Sequence, residues 1–260
     1  MPIRRLAVTV MLLTALTLPF AVAGDASSEE TPTEYEKLLS GQARALVTIK
    51  YVLKTEYDEG SDEEEMETTG AIIDPSGIIL CSNMSLAASR LFEAYGIRTM
   101  AKQLKVLIDE DTEGLDAKIV AQDKELDLVW LKIKNADGRK FPAIDLSNSA
   151  RVRPGDRLLT IVRLDKFFDR AAVIHEGRAA GVLHKPRELL VPGSGLEGEA
   201  GLPVFNPRGE VAGIFVTQMP DAEDHASDPS GLIETMEVYI LPVDAAEKAT
   251  KRALAAEKAG

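Results

Sequence analysis

The sequence predicts an all-β fold of two six-stranded Greek-key barrels in tandem, closed by a C-terminal helix. Three observations lead there. Short apolar runs of strand character recur at spacings of roughly 8–12 residues, divided by turn-forming residues. The stretch "AIDLSNSARVRPGD" (143–156) has few large apolar groups and ends in Pro154-Gly155. It therefore separates five or six strand candidates from about six more. The last segment, "AAEKATKRALAAEKA", has helical composition, with Asp244 placed to cap it and Lys/Arg on its later turns.

The chain opens on a segment foreign to that pattern. Arg4 and Arg5 precede the apolar run "LAVTVMLLTALTLPFAVA", which is broken by Pro19 and ends in Ala21-Val22-Ala23. Basic, apolar and small-x-small regions in that order predict a signal peptide over 1–23, and hence export to a periplasmic or extracellular compartment. An uncleaved anchor is the rival reading, against which Pro19 and the cleavage site speak. Residues 24–43 are polar and predict a flexible leader ending in a short helix.

The first barrel lobe is placed at 44–145. "ALVTIKYVLKTEY" alternates, with Val47, Ile49, Tyr51 and Leu53 on one face. "DEGSDEEEMET" (58–68) is almost all carboxylate and predicts an exposed loop. "GAIIDPSGIILCSN" holds two apolar runs around Asp74-Pro75-Ser76-Gly77, a hairpin turn in which Pro fixes φ and Gly accepts a positive one. "SLAASRLFEAYG" (85–96) predicts a helix stopped at Gly96. "QLKVLID", "DAKIVAQD" and "DLVWLKI" complete the lobe. The second lobe, with the closing helix, is placed at 146–258. Its strands are "DRLLTIVRL", "AAVIHEGRAAGVLH", "ELLVP", "LPVFN", "GEVAGIFVTQ" and "TMEVYILPV", with a polar loop at 221–231.

Charge and cysteine usage narrow the function classes. The 260-residue chain carries 30 Lys+Arg against 42 Asp+Glu, a net charge of −12. Loss of Arg4 and Arg5 with the signal peptide takes it to −14. That argues against nucleic acid and against anionic membrane surfaces, and suits a basic protein or peptide partner. Cys81 is the only cysteine, so no internal disulfide can form. Set in "GIILCSN", it reads as a small buried residue. No pair of His or Cys has metal-ligand spacing, so neither metal nor cofactor is expected.

"Gly198-Glu199-Ala200-Gly201-Leu202-Pro203", followed by "VFNPRGEVAGI", resembles the nucleophile loop of trypsin-like serine proteases. In their bacterial HtrA (Deg) branch it reads G-N-S-G-G-P-L, then G-x-V-x-G-I. Gly198, Gly201 and Pro203 match, Ala200 falls on the serine, and Leu202 replaces the second glycine. "GAIIDPSGIILCSNMS" is similar to the hairpin that presents the general-base histidine, with Met84 at that position. "AQDKELDLVWLKI" is similar to D-x-x-x-D-L-A-V-L-K-I, with Asp127 on the aspartate. "RVRPGDRLLTIV", "VIHEGRAAGVLHK" and "MEVYILPVDAAEKA" extend the likeness over about residues 44–258, with no room after the closing helix for the PDZ domain that HtrA relatives usually carry.

The resemblance implies a triad reading Met84, Asp127, Ala200 and an oxyanion loop at Gly198, Glu199 and Gly201. Acyl transfer of this type needs an attacking hydroxyl, an imidazole to take its proton and a carboxylate to hold the imidazole. A methyl group cannot attack, and a thioether is no base. The implied function is an exported pseudoprotease that binds a peptide or protein partner in the groove between the barrels. One alternative is an endopeptidase with relocated residues, Ser194 in "PGSGLEG" and His184 in "LHKPR". A structural exported protein is the other. His175 and His225 read as ordinary surface histidines, and Trp130 as core.

Overall fold

A computed structural model describes residues 33–57, 60–86, 98–109, 111–218 and 237–259. Twelve strands form two closed antiparallel barrels. In the first, β1 (Leu46–Tyr57), β2 (Gly60–Asp74), β3 (Ile78–Ser82), β4 (Arg98–Leu107), β5 (Leu115–Asp123) and β6 (Leu128–Ile133) close in the order β1-β2-β3-β6-β5-β4. In the second, β7 (Arg157–Arg163), β8 (Ala172–Leu183), β9 (Leu189–Pro192), β10 (Pro203–Phe205), β11 (Val211–Gln218) and β12 (Glu237–Pro242) close as β10-β11-β12-β9-β8-β7. The predicted all-β double barrel is the observed one. Among the described residues the helices are α1 (Glu34–Gln42), the single turn α2 (Asn83–Leu86) and α3 (Val243–Ala259).

The expected loop at the acidic run is corrected by the structure. Residues 60–67 belong to β2, paired with β1 from Leu46↔Ala71 out to Tyr57↔Gly60. The register explains why a run of carboxylates can be strand. Glu63 lies opposite Lys54 and Glu67 opposite Lys50. Lys102, on the far side of β1, reaches Glu63 at 3.3 Å, and Lys50 reaches Glu65 at 3.1 Å. Opposite charges facing each other across a ladder offset the poor β propensity of glutamate. β4 also begins at Arg98, five residues before the apolar run "QLKVLID", because β1 continues outward and carries β4 along as far as Glu56↔Arg98.

The leader's second half is a docked helix. Thr33 caps α1 in a capping box with Glu36. Leu38 is buried among the residues of the second barrel's core. Arg157 on β7 pairs with Glu34 and with Glu176 on β8, and the Tyr35 hydroxyl donates to Glu176. The chain then passes through a 3-10 turn, Ala43–Ala45, into β1 of the first barrel. At the other end α3 leaves β12 and packs on β5, where the Trp130 indole N–H of β6 donates to Thr250 Oγ1 at 3.0 Å. Asp244, expected as the cap, lies inside the first turn, since α3 starts at Val243.

The core crosses the seam between the barrels. Leu46, Leu80, Leu128 and Trp130 pack in one cluster with Leu158, Ile161, Leu202, Phe205 and Phe215. The linker adds Ile144 and Leu146 to it, and a bridge joins Ser149 to Val211. The expected helix over 85–96 falls mostly outside the described residues. The signal peptide and the 221–231 loop with His225 lie wholly outside them.

Candidate functional site at the barrel seam

Met84, Asp127 and the turn carrying Ala200 meet where β3 and β6 of the first barrel face β11 of the second. Asp127 stands just before β6 with a left-handed φ of 55°. Only 5 % of it is exposed. Both of its carboxylate oxygens accept hydrogen bonds. The Met84 N–H donates to Oδ1 at 2.7 Å, and the Thr217 N–H, from β11, donates to Oδ2 at 2.8 Å. The Ser82 hydroxyl lies 2.9 and 3.0 Å from the two oxygens. The Asn83 N–H adds a bond to the Asp127 carbonyl at 3.1 Å. Burial pushes the Asp127 carboxyl above its ordinary value, against the pull of the Thr217, Met84 and Ser82 donors.

The turn over Gly198–Gly201 is pressed onto the end of β3. The Gly201 N–H donates to the Phe215 carbonyl at 2.7 Å, and the Phe215 N–H to the Leu202 carbonyl at 2.8 Å. Gly201 has φ 96°, and a Cβ there would stand 2.5 Å from the Ser82 nitrogen. A Cβ at Gly198 would stand 2.4 Å from the Phe215 ring. Leu202 is fully buried, while Glu199 is exposed. Backbone contact thus sets Gly201, and contact with the Phe215 ring sets Gly198.

The relocated pair is not brought together. His184 is exposed, just past the end of β8. Ser194 lies over Gly177, whose Cβ would meet the Ser194 carbonyl at 2.9 Å. Seven residues of β8 separate the two positions, roughly 23 Å at strand rise. His175, opposite Thr160, has Nδ1 3.7 Å from the Glu197 carboxylate. Cys81 is fully buried, and that burial pushes its thiol well up. Among the described residues no three His, Cys, Asp or Glu side chains converge to hold a metal ion.

Two members of this cluster, Ser82 and Thr217, escape the sequence reading. Ser82 could have been suspected from its place two residues before Met84. Thr217 carries no signal of its own, because it reaches Asp127 only through the course of β11 across the seam.

Two closed barrels with this seam between them define the class, a trypsin-like double barrel. Residues 68–214 match the trypsin-like peptidase domain, more than half of the chain, and the chain belongs to that family. Its relatives place it in the HtrA branch. A "Probable periplasmic serine endoprotease DegP-like" of Pseudomonas savastanoi pv. phaseolicola is 29 % identical over 167 residues, 60 % of this chain and 30 % of that one. The protein of the same description from Rhizobium meliloti is 33 % identical over 112 residues, 42 % of this chain and 22 % of its own. The chain thus spans under a third of the length of these relatives. Among solved structures, the MamO protease domain from Magnetospirillum magneticum (apo form) aligns with a TM-score of 0.49 at 17 % identity, over 80 % of this chain and 97 % of that one.

Proposed function

We propose that this is an exported, non-hydrolysing member of the family that binds extended peptide or protein segments in the groove between its barrels. The observation that carries the reading is the content of the seam. Where the family's chemistry requires an imidazole and a hydroxyl, residues 84 and 200 offer a thioether and a methyl group. The Asp127 carboxylate is already bonded to Ser82, Met84 and Thr217, and no histidine among the described residues bonds it. Binding has its own support. Beyond the pair Pro203↔Ile214, β11 has β12 on one side and no strand on the other among the described residues. Next to the Ala200 turn that side is taken, the Phe215 N–H and C=O by Leu202 and Gly201 and the Thr217 N–H by Asp127. An extended peptide can therefore add only past Thr217, with main-chain bonds there supplying affinity. Export rests on the residue order of 1–23 and on the printed description of the relatives as periplasmic.

The test uses purified mature protein and a quenched casein substrate. No hydrolysis above buffer is expected, together with binding of the unquenched casein fragments in a pull-down. Turnover abolished by Ser194→Ala would replace this reading with a relocated active site. Absence of both turnover and binding would leave the structural role.

A further inference from the structure

The outer end of the first barrel carries a second strand edge, on β2 rather than on β11, and independent of the peptide groove proposed above. β3 covers β2 only from Gly70 to Asp74. From Gly60 to Thr69, β2 has β1 on one side and no strand on the other among the described residues. A free edge presents a row of unmatched N–H and C=O groups, a template for another chain.

At its inner end this edge forms one wall of a cleft of about 260 Å³, lined by Lys50, Glu65, Met66 and Glu67 from the first barrel and Asp165 and Lys166 from the second. Next to Lys166, Phe167 is 83 % and Phe168 56 % exposed, their rings edge to face at 5.1 Å. The turn that displays them is braced. Asp165 caps it through the Phe167 N–H at 2.7 Å. Arg170 reaches both carboxylate oxygens of Glu67 at 3.1 Å. Arg163 holds the carbonyls of Arg170, Ala43 and Leu46. Asp169 and Arg170 are both held at left-handed φ, 53° and 51°, an uncommon conformation for residues with side chains. Two large apolar rings fixed in solvent by a strained, tethered turn beside an open edge have the makings of an anchor site.

Charge selects the occupant. Glu63, Glu65 and Glu67 are paired with Lys102, Lys50 and Arg170. Asp62 and Glu64, on the opposite face of β2, have no cation partner among the described residues. The geometry points to a docking edge for an extended basic segment of another protein. It adds to β2 as a strand, sets an apolar side chain against Phe167 and Phe168, and places alternate Lys or Arg over Asp62 and Glu64. Carboxylates that only guarded the edge against self-association would call for no exposed phenylalanine pair.

The probe is a fluorescein-labelled eight-residue peptide alternating lysine and valine around a central phenylalanine. Two twins carry backbone N-methyl groups on one or the other alternate set of nitrogens. Strand addition uses the N–H groups of only one side, so one twin should lose at least about tenfold in affinity by anisotropy while the other binds like the parent. Phe167→Ser with Phe168→Ser, and separately Asp62→Asn with Glu64→Gln, should each weaken the parent at least about fivefold without moving the melting temperature. Equal binding of both twins would reduce the edge to bulk charge attraction and overturn the proposal. So would no binding to the wild type, or a dimer in sedimentation that Phe167→Ser with Phe168→Ser dissolves. Parent binding that neither variant changes would place the peptide elsewhere, which sinks this edge and leaves the groove between the barrels standing.

Discussion

Asp127 and Thr217 are joined across the barrel seam by a backbone N–H to carboxylate bond of 2.8 Å. With the Met84 N–H on the other oxygen, one buried carboxylate ties β3, β6 and β11. Its role here is therefore to hold the barrels in place. Asp127→Ala would leave two N–H groups and the Ser82 hydroxyl buried without an acceptor. The expected cost is about 3–5 kcal/mol in chemical denaturation. Asp127→Asn keeps the shape but turns an amide NH₂ toward one of the N–H donors, and should cost about 2 kcal/mol. A loss under 1 kcal/mol for Asp127→Ala would show that the seam does not depend on this carboxylate.

The glycines of the 198–201 turn should be as intolerant as those of a working enzyme. Gly201→Ala adds a methyl group 2.5 Å from the Ser82 nitrogen at φ 96°, and Gly198→Ala drives one into the Phe215 ring at 2.4 Å. Neither neighbour is a flexible side-chain end, so each variant should lose roughly 2–4 kcal/mol. Ala200→Gly, whose position makes no such demand, should cost under about 1 kcal/mol. Thermal melts of the three variants check the contrast. Backbone and ring contacts of the fold hold these glycines whatever residue stands at position 200.

Much of this was legible in the chain. Alternation in "ALVTIKYVLKTEY" and the Asp74–Gly77 turn fixed β1 to β3 in kind, and the spacing of the motifs fixed two barrels. The acidic stretch was not, because local propensity disfavours glutamate in strands and the lysines that compensate lie on β1 and β4, in other parts of the sequence. The docking of α1 on the second barrel was hidden for the same reason. Its Tyr35 and Glu34 find their partners more than a hundred residues on. At the seam, Met84 and Ala200 could be located by motif, while Ser82 and Thr217 needed the barrels to be assembled.

Stability should fall in acid through the α1 anchor. The Arg157 guanidinium, with the Tyr35 hydroxyl behind it, holds the Glu176 carboxyl down at about 2. An unfolded glutamate titrates near 4.3. The folded form is therefore favoured by this group above roughly pH 4.3, and the advantage drains away as pH drops towards 2. Glu176→Gln should be less stable than wild type at pH 6 and converge with it near pH 2, with amide exchange in α1 accelerated at the higher pH. Parallel melting curves from pH 6 to 2 would show that Glu176 is not linked to folding.

Restoring catalysis should take three changes rather than two. Ala200→Ser alone supplies a hydroxyl with no base and should remain inactive, since loss of nucleophile or base alone costs roughly 10⁶ in turnover. Met84→His places an imidazole beside Asp127, because the residue 84 backbone already bonds its Oδ1 at 2.7 Å. That carboxylate, however, is shared. The Ser82 hydroxyl lies within 3.0 Å of both oxygens and competes with the imidazole N–H that the aspartate must hold. Met84→His with Ala200→Ser should thus recover a trace of casein hydrolysis, further limited by buried Leu202 beside the oxyanion site. Adding Ser82→Ala removes the rival donor and should raise that rate at least about tenfold, since a correctly oriented base contributes ~10²–10⁴. The gain should appear in kcat, with the ascending limb of the pH profile reporting a single group near the histidine range. A triple variant no faster than Ala200→Ser, yet folded by circular dichroism, would mean that the seam has closed around its hydrogen bonds and no longer has room for an imidazole.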